Sequence, residues 1–154
     1  AELGDEACHT FFRPSAREFV EQHEAGTAYV YLNYGMYWLT NVLCKNPDTG
    51  NNGFVLLRAL EPVSGIPKMK RRRNKTKLTD LCSGPGKLSM ALGIAKGDHG
   101  KRLAGASRGC FLEAEFEARV VADRRIGISR ARELPWRFLE KDNRHVSVAF
   151  GKAK

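Results

Sequence analysis

Tyr29-Val30-Tyr31-Leu32-Asn33-Tyr34-Gly35-Met36-Tyr37-Trp38-Leu39-Thr40-Asn41 is the stretch that decides the fold, together with Val55-Leu56-Leu57-Arg58-Ala59-Leu60-Glu61-Pro62 just downstream. From Thr27 to Leu43 the side chains alternate. Tyr29, Tyr31 and Asn33 fall on one face of a strand, Val30 and Leu32 on the other. Gly35 permits a sharp reversal, so two strands meet at an aromatic-Gly-Met tip. Residues 45–53 (KNPDTGNNG) are a turn-rich connection. Phe54 to Leu60 then reads as a continuous apolar strand, central to the sheet and carrying one Arg. A core does not need bulky aromatics at a loop tip. Tyr34 is therefore either folded back over the sheet or presented outward for a function.

Outward from this hairpin, the 154 residues suffice for one domain with a real core, and 42% hydrophobic residues suit a soluble globular protein. No apolar run approaches the roughly 18 to 20 residues that span a bilayer. Ala1-Glu2-Leu3-Gly4-Asp5-Glu6 lacks the basic and apolar regions of a signal peptide, so an intracellular protein is expected. Lys and Arg number 26 against 17 Asp and Glu, a formal charge of +9. That balance favours a polyanionic partner, nucleic acid or an anionic membrane surface, over a merely solvated basic face. Cys8, Cys44, Cys82 and Cys110 are dispersed without a C-x-x-C pair, which argues against a zinc module and for reduced thiols.

Residues 1–26 are polar and show no assignable pattern. Residues 62–80 hold Pro62, Gly65 and Pro67 before the run Lys68-Met69-Lys70-Arg71-Arg72-Arg73-Asn74-Lys75, a short helix and then a loop. The run also fits a nuclear-localisation pattern, a kind common by chance. Ser83 or Gly84 can cap a helix with Pro85 at its first position and Leu88, Ala91, Leu92 and Ala95 as its apolar stripe. Short strands are expected at Phe111–Phe116, Ala118–Ala122, Arg125–Ile128, Trp136–Glu140 and Val146–Ala149. The class is α+β: a single domain, 1–154, built on a curved, mainly antiparallel sheet with a protruding β-hairpin and flanking helices.

Several residues carry chemistry by type alone. Arg58 sits in an apolar strand. A buried guanidinium is costly unless paired, so it meets a carboxylate or a bound-water network, or else lies at an edge and snorkels to solvent. Ser83, Gly84 and Gly86 flank a helix start, where free N–H groups attract anions, and Lys87 adds a charge. Lys68 to Lys75 would add salt-dependent, sequence-blind attraction to a nucleic acid. Asp5-Glu6-Ala7-Cys8-His9 looks like a helicase box, but no phosphate loop accompanies it. Its metal-capable side chains lack a second cluster with ligand spacing.

The hairpin resembles that of the alkyladenine (3-methyladenine, methylpurine) DNA glycosylase family, of the form YVY-x-x-YGM-x-x-x-x-N. Leu81-Cys82-Ser83-Gly84-Pro85-Gly86-Lys87-Leu88, Ala91-Leu92-Gly93-Ile94, Arg125-Ile126-Gly127-Ile128 and Pro135-Trp136-Arg137-Phe138 follow in the family's order. The resemblance covers nearly the whole chain. It implies a monofunctional base-excision-repair enzyme that hydrolyses the N-glycosidic bond of an alkylated or deaminated purine flipped out of duplex DNA. Tyr34 would intercalate, with Met36 and Tyr37 following along the minor groove. His9 and Tyr31 would enclose the base, with cation–π attraction for alkylated, cationic purines. Asn41 would narrow the pocket floor against a guanine amino group. Arg58 would serve the catalytic water, and the carbonyl of Ile126 would help hold it. Ser83, Gly84 and Lys87 would clamp a phosphate. No metal or organic cofactor is implied, and no lysine is placed for strand-cleaving lyase chemistry. The partner is double-stranded DNA with damaged purines, not a membrane, and the protein is expected as a monomer. It would act in the nucleus if eukaryotic, in the cytoplasm or nucleoid if bacterial.

One departure concerns the general base. In the family a Glu serves, within an E-x-E-A-Y-L-G-x-x-D-x-A-x-H motif. Here Leu3-Gly4, Asp5-Glu6-Ala7 and His9 match its second half. Aligning Leu3-Gly4 puts that Glu one residue before Ala1, which implies a domain lacking the family's N-terminal catalytic strand. The spacing from Gly4 to His9 is also about two residues short, which would draw Glu2 into the catalytic place. Two competing readings keep the fold and lose the reaction: a catalytically inactive damaged-DNA-binding homologue, and an RNA-binding module.

Overall fold

The hairpin forms as its alternation predicts. In the computed structural model, which describes residues 4–103 and 118–153, strand β1 (Ala28–Asn33) pairs antiparallel with β2 (Tyr37–Lys45). Asn33 lies opposite Tyr37 at the tip, and Tyr29 lies opposite Asn41 near the base. The Met36 N–H donates to the Asn33 carbonyl at 3.1 Å, closing the turn over Tyr34 and Gly35. Both central residues have positive φ, 50° at Tyr34 and 67° at Gly35. That is the backbone twist a tight hairpin demands.

Strand β3 (Asn52–Leu56) adds to the other side of β2, giving the order β1-β2-β3. The predicted strand Phe54–Leu60 is thus corrected at its end. It ends at Leu56, and among the described residues its partner is β2. The apolar residues beyond it satisfy themselves elsewhere. Leu57 and Leu60 pack on the cluster Leu81, Cys82, Leu88 and Ala91, not on a further strand.

Helices flank the sheet. Helix α1 (His9–Phe12) and helix α2 (Pro14–Gln22) occupy the stretch where the sequence showed no pattern. Pro14 opens α2, and Ala16, Phe19 and Val20 are its buried side. They join Cys8, Tyr29, Leu43 and Phe54 in one core cluster. Helix α3 (Ile66–Arg73) and helix α4 (Pro85–Leu92) build the second. Gly84 precedes Pro85 as expected, but α4 stops at Leu92 with Gly93 in the left-handed conformation, so Ala95 lies beyond it. Thr40 of β2 meets Ser89 of α4, hydroxyl to hydroxyl, at 3.1 Å.

A second, two-stranded antiparallel sheet joins β4 (Val120–Asp123) and β5 (Arg137–Glu140). The described residues thus hold a three-stranded and a two-stranded antiparallel sheet, within the expected α+β class. Arg125–Ile128 and Val146–Ala149 are irregular rather than strands. Both segments are held by side-chain bonds in place of a ladder. Arg137 donates to the carbonyls of Arg124 at 3.1 Å and Val148 at 2.7 Å and pairs with Asp123. The predicted strand Phe111–Phe116 lies outside the described residues. Among those described, no helix is long and apolar enough to cross a membrane.

Candidate active site

A cleft of about 1590 Å³ opens between the hairpin, α1 and the segment 125–130. One ion pair holds its two walls in register. Arg125 Nη1 donates to Asp5 Oδ1 at 2.9 Å, and Nη2 lies 2.8 Å from Oδ2 in a purely ionic contact off the hydrogen-bond line. Both side chains are buried. Burial works to raise the Asp5 carboxyl. The Arg125 and Ala7 hydrogen bonds and the Arg125 charge outweigh it, so the pKa lies below the ordinary carboxylate value. Arg125 also lies over the Trp136 ring, 5.7 Å from its centroid. The segment bearing His9 is thereby tied to the segment bearing Ile126. The sequence quoted both residues in motifs but gave neither a role. Their separation of 120 positions hides the pairing.

His9, Tyr29, Tyr31 and Asn41 line the cleft together. The His9 ring stands edge-on to Tyr31 at 4.3 Å between centroids and an interplanar angle of 61°. Its Nδ1 lies 3.1 Å from the Tyr29 hydroxyl. With the His9 proton on Nε2, Nδ1 accepts from that hydroxyl. Burial, aided by the Arg13 charge, depresses the imidazole to about 4, so it is neutral at physiological pH. The Asn41 amide donates to the Tyr29 carbonyl at 3.3 Å, which fixes its orientation in the cleft.

Arg58 follows β3 instead of sitting inside it, half-buried on the cleft wall. A Cβ built on Gly127 would lie 3.6 Å from its Nη1, so the guanidinium reaches the segment of Ile126. Of the partners expected for it, no acidic group among the described residues pairs with it, which leaves the bound-water network. Burial lowers its pKa, the Tyr31 hydroxyl opposes that, and Arg125 and Arg137 add to it. The carboxylates lining the cleft among the described residues are Glu6 and Glu140. Glu2 lies outside the described residues.

Tyr34 stands on the cleft rim, 86% exposed. Met36 and Tyr37 instead line a second groove, with Trp38, Arg72, Gly86 and Met90. The tip thus separates two concavities. Ser83, Gly84 and Lys87 are absent from both linings and lie at the start of α4. They are coupled to the hairpin through Gly86, where a Cβ would come within 3.0 Å of Tyr37. No three His, Cys, Asp or Glu side chains among the described residues are placed to hold a metal.

A neutral imidazole, an aromatic corner, an oriented amide and an exposed wedge suit a flat heterocycle drawn from a stack. Comparison with known proteins agrees. The family model for methylpurine-DNA glycosylase (MPG) matches residues 1–144. A Francisella tularensis protein is 43% identical over 147 residues, covering 93% of this chain and 75% of its own. A Rhodopseudomonas palustris protein is 42% identical over 146 residues, covering 95% and 69%. A Chlorobium luteolum protein is 43% identical over 145 residues, covering 93% and 72%. All three carry the name 3-methyladenine DNA glycosylase as a provisional assignment.

Proposed function

The chain belongs to the methylpurine-DNA glycosylase family, and from that premise we propose that it is a base-excision DNA glycosylase that extrudes an alkylated or deaminated purine from duplex DNA and hydrolyses its glycosidic bond. The observation that carries this reading is Tyr34. A large aromatic in the left-handed conformation costs about 1–2 kcal/mol, and its ring makes no core in return. A wedge that fills the gap left by an extruded base accounts for both.

The reaction divides among the cleft residues. The purine enters the corner made by His9 and Tyr31. The Nε2–H of His9 donates to an acceptor on its edge, and Asn41 sets the floor. A cationic alkylated purine gains cation–π attraction of about 0.5 to 2 kcal/mol from the tyrosine rings. Water then attacks C1′. Its oxygen forms the new bond, its proton passes to a carboxylate, and the C1′–N pair leaves with the base. An alkylated base departs neutral because it was already cationic, and hypoxanthine needs a proton on departure. Arg58 and the Ile126 carbonyl, brought together at Gly127, orient the water. The general base is Glu2, and Glu6 is the nearest alternative in sequence. Intercalation places the surface of α4 bearing Ser83, Gly84 and Lys87 against the backbone beside the lesion.

The experiment is excision of hypoxanthine and 3-methyladenine from duplex DNA under single-turnover conditions, with binding to an abasic-analogue duplex alongside. The expected result is release of the free base, lost in Glu2→Gln and kept in Glu6→Gln. Loss in Glu6→Gln alone would move the general base to Glu6. No cutting, and no preference for the abasic analogue over undamaged duplex, would overturn the reading.

A further inference from the structure

The two phenyl rings of α1 lie at the cleft mouth and belong to neither core cluster among the described residues. Phe11 is 45% exposed and Phe12 54%, and both line the cleft. The inner side of the same turn is already filled by the buried Cys8 and Thr10. The Phe12 ring meets His9 edge to face, 5.5 Å between centroids at 67°. His9 in turn meets Tyr31. An aromatic series therefore runs inward from Phe12 through His9 to Tyr31, continuous with the base pocket. The Arg13 guanidinium lies 5.7 Å from the Phe12 centroid. A π-face with a cation beside it is what an unstacked nucleotide occupies, base on the ring and phosphate near the charge.

Resting on the glycosylase reading, we propose that Phe12 is the outer wall of the base pocket and a specificity-determining residue, stacking on the extruded purine across from Tyr31. The occupant is a nucleobase, because the patch continues the pocket without a break and carries a positive charge. Phe11 widens the same wall toward the neighbouring nucleotide. The larger the purine's π-surface, the more the wall contributes, so etheno adducts gain more from it than hypoxanthine.

The test compares the wild-type chain with Phe12→Ala, Phe12→Leu and Phe12→Trp on three duplexes: hypoxanthine-containing, abasic-analogue and undamaged. An abasic analogue has no base to stack. The expected result is that Phe12→Ala and Phe12→Leu lower single-turnover excision of hypoxanthine at subsaturating enzyme by about tenfold or more. Affinity for the abasic analogue stays within about threefold, and Phe12→Trp recovers most of the excision. Three results would overturn the proposal: unchanged excision in Phe12→Ala, an equal loss on the abasic analogue, or full function in Phe12→Leu. Concentration-dependent self-association that disappears in Phe12→Ala would assign the patch to a second copy instead. A wild-type chain that neither cuts nor prefers the abasic analogue would show that the glycosylase reading itself had failed, and this proposal with it.

Discussion

Asp5 and Arg125 are the pair on which the cleft geometry depends, and removing one partner is far worse than never having had either. Asp5→Asn would leave a buried guanidinium without its counter-charge, at a cost of about 3–5 kcal/mol, read as a lowered urea midpoint. His9 gives the pH counterpart. Its folded pKa of about 4 lies below the ordinary 6.5. Between those values the unfolded chain binds the proton and the folded chain does not, so stability falls as pH drops through that window. Thermal melts from pH 7 to 4 should show this loss, and His9→Gln should remove part of it. Asp5 acts in the same direction but lower, below its ordinary 3.8, so Asp5 cannot account for a loss between pH 6.5 and 5. At this scale the sequence was legible wherever chemistry is local. Tyr31 and Asn41 reach one cleft because strand register is a period-two pattern, while His9 comes to it from α1 and was marked only by the family resemblance. The partner of Asp5 was not legible, since nothing local marks which arginine folds back to it. Arg58 was read as meeting a carboxylate or a bound-water network, and local sequence could not choose between them; the described residues place it on the cleft wall.

Elements were readable where one physical signal dominated. The hairpin has alternation and a glycine turn, and α4 has a proline start, a glycine stop and a buried stripe. Helix α2 was missed because only Ala16, Phe19 and Val20 are buried in its nine residues, too few for a periodic stripe to stand out. Strand β3 was overextended because apolarity says that a segment is buried, not by what. Leu57 and Leu60 face helices rather than strands. The hairpin tip yields a prediction in which stability and function move apart. Asn tolerates positive φ better than Tyr does. Tyr34→Asn should therefore raise stability by about 0.5–1 kcal/mol in urea titration while lowering excision at least about tenfold, the loss of one base-stacking aromatic. A variant that lost both stability and activity would mean that the ring supports the hairpin instead of the DNA.

Across the whole molecule the +9 charge divides into cations that hold the fold and cations left for a partner. The basic run of α3 shows the division. Arg72 donates to the Ala91 carbonyl at 3.0 Å and stacks close over Gly93. Arg73 donates to the carbonyls of Leu81 at 3.1 Å and Asp80 at 3.3 Å. Arg72 ties α3 to α4 and Arg73 ties it to the 78–81 segment that leads there, which is why so charged a stretch remains helical without a buried residue of its own. Lys68, Arg71 and Lys75 are exposed, and among the described residues they have no side-chain partner. The sequence could count these charges but could not sort them, because the sorting depends on carbonyls left open at Asp80, Leu81 and the end of α4. The triple variant Lys68→Ala, Arg71→Ala, Lys75→Ala should melt near the wild-type temperature. Its affinity for abasic-analogue duplex should depend less on salt, the slope of log K against log salt falling by about 0.9 for each phosphate no longer neutralised. Arg72→Ala and Arg73→Ala should do the reverse, lowering the melting temperature with little change in that slope. If all five substitutions shifted the salt slope alike, α3 would be a DNA-facing stripe throughout, and the helix–helix clamp would contribute little to the fold.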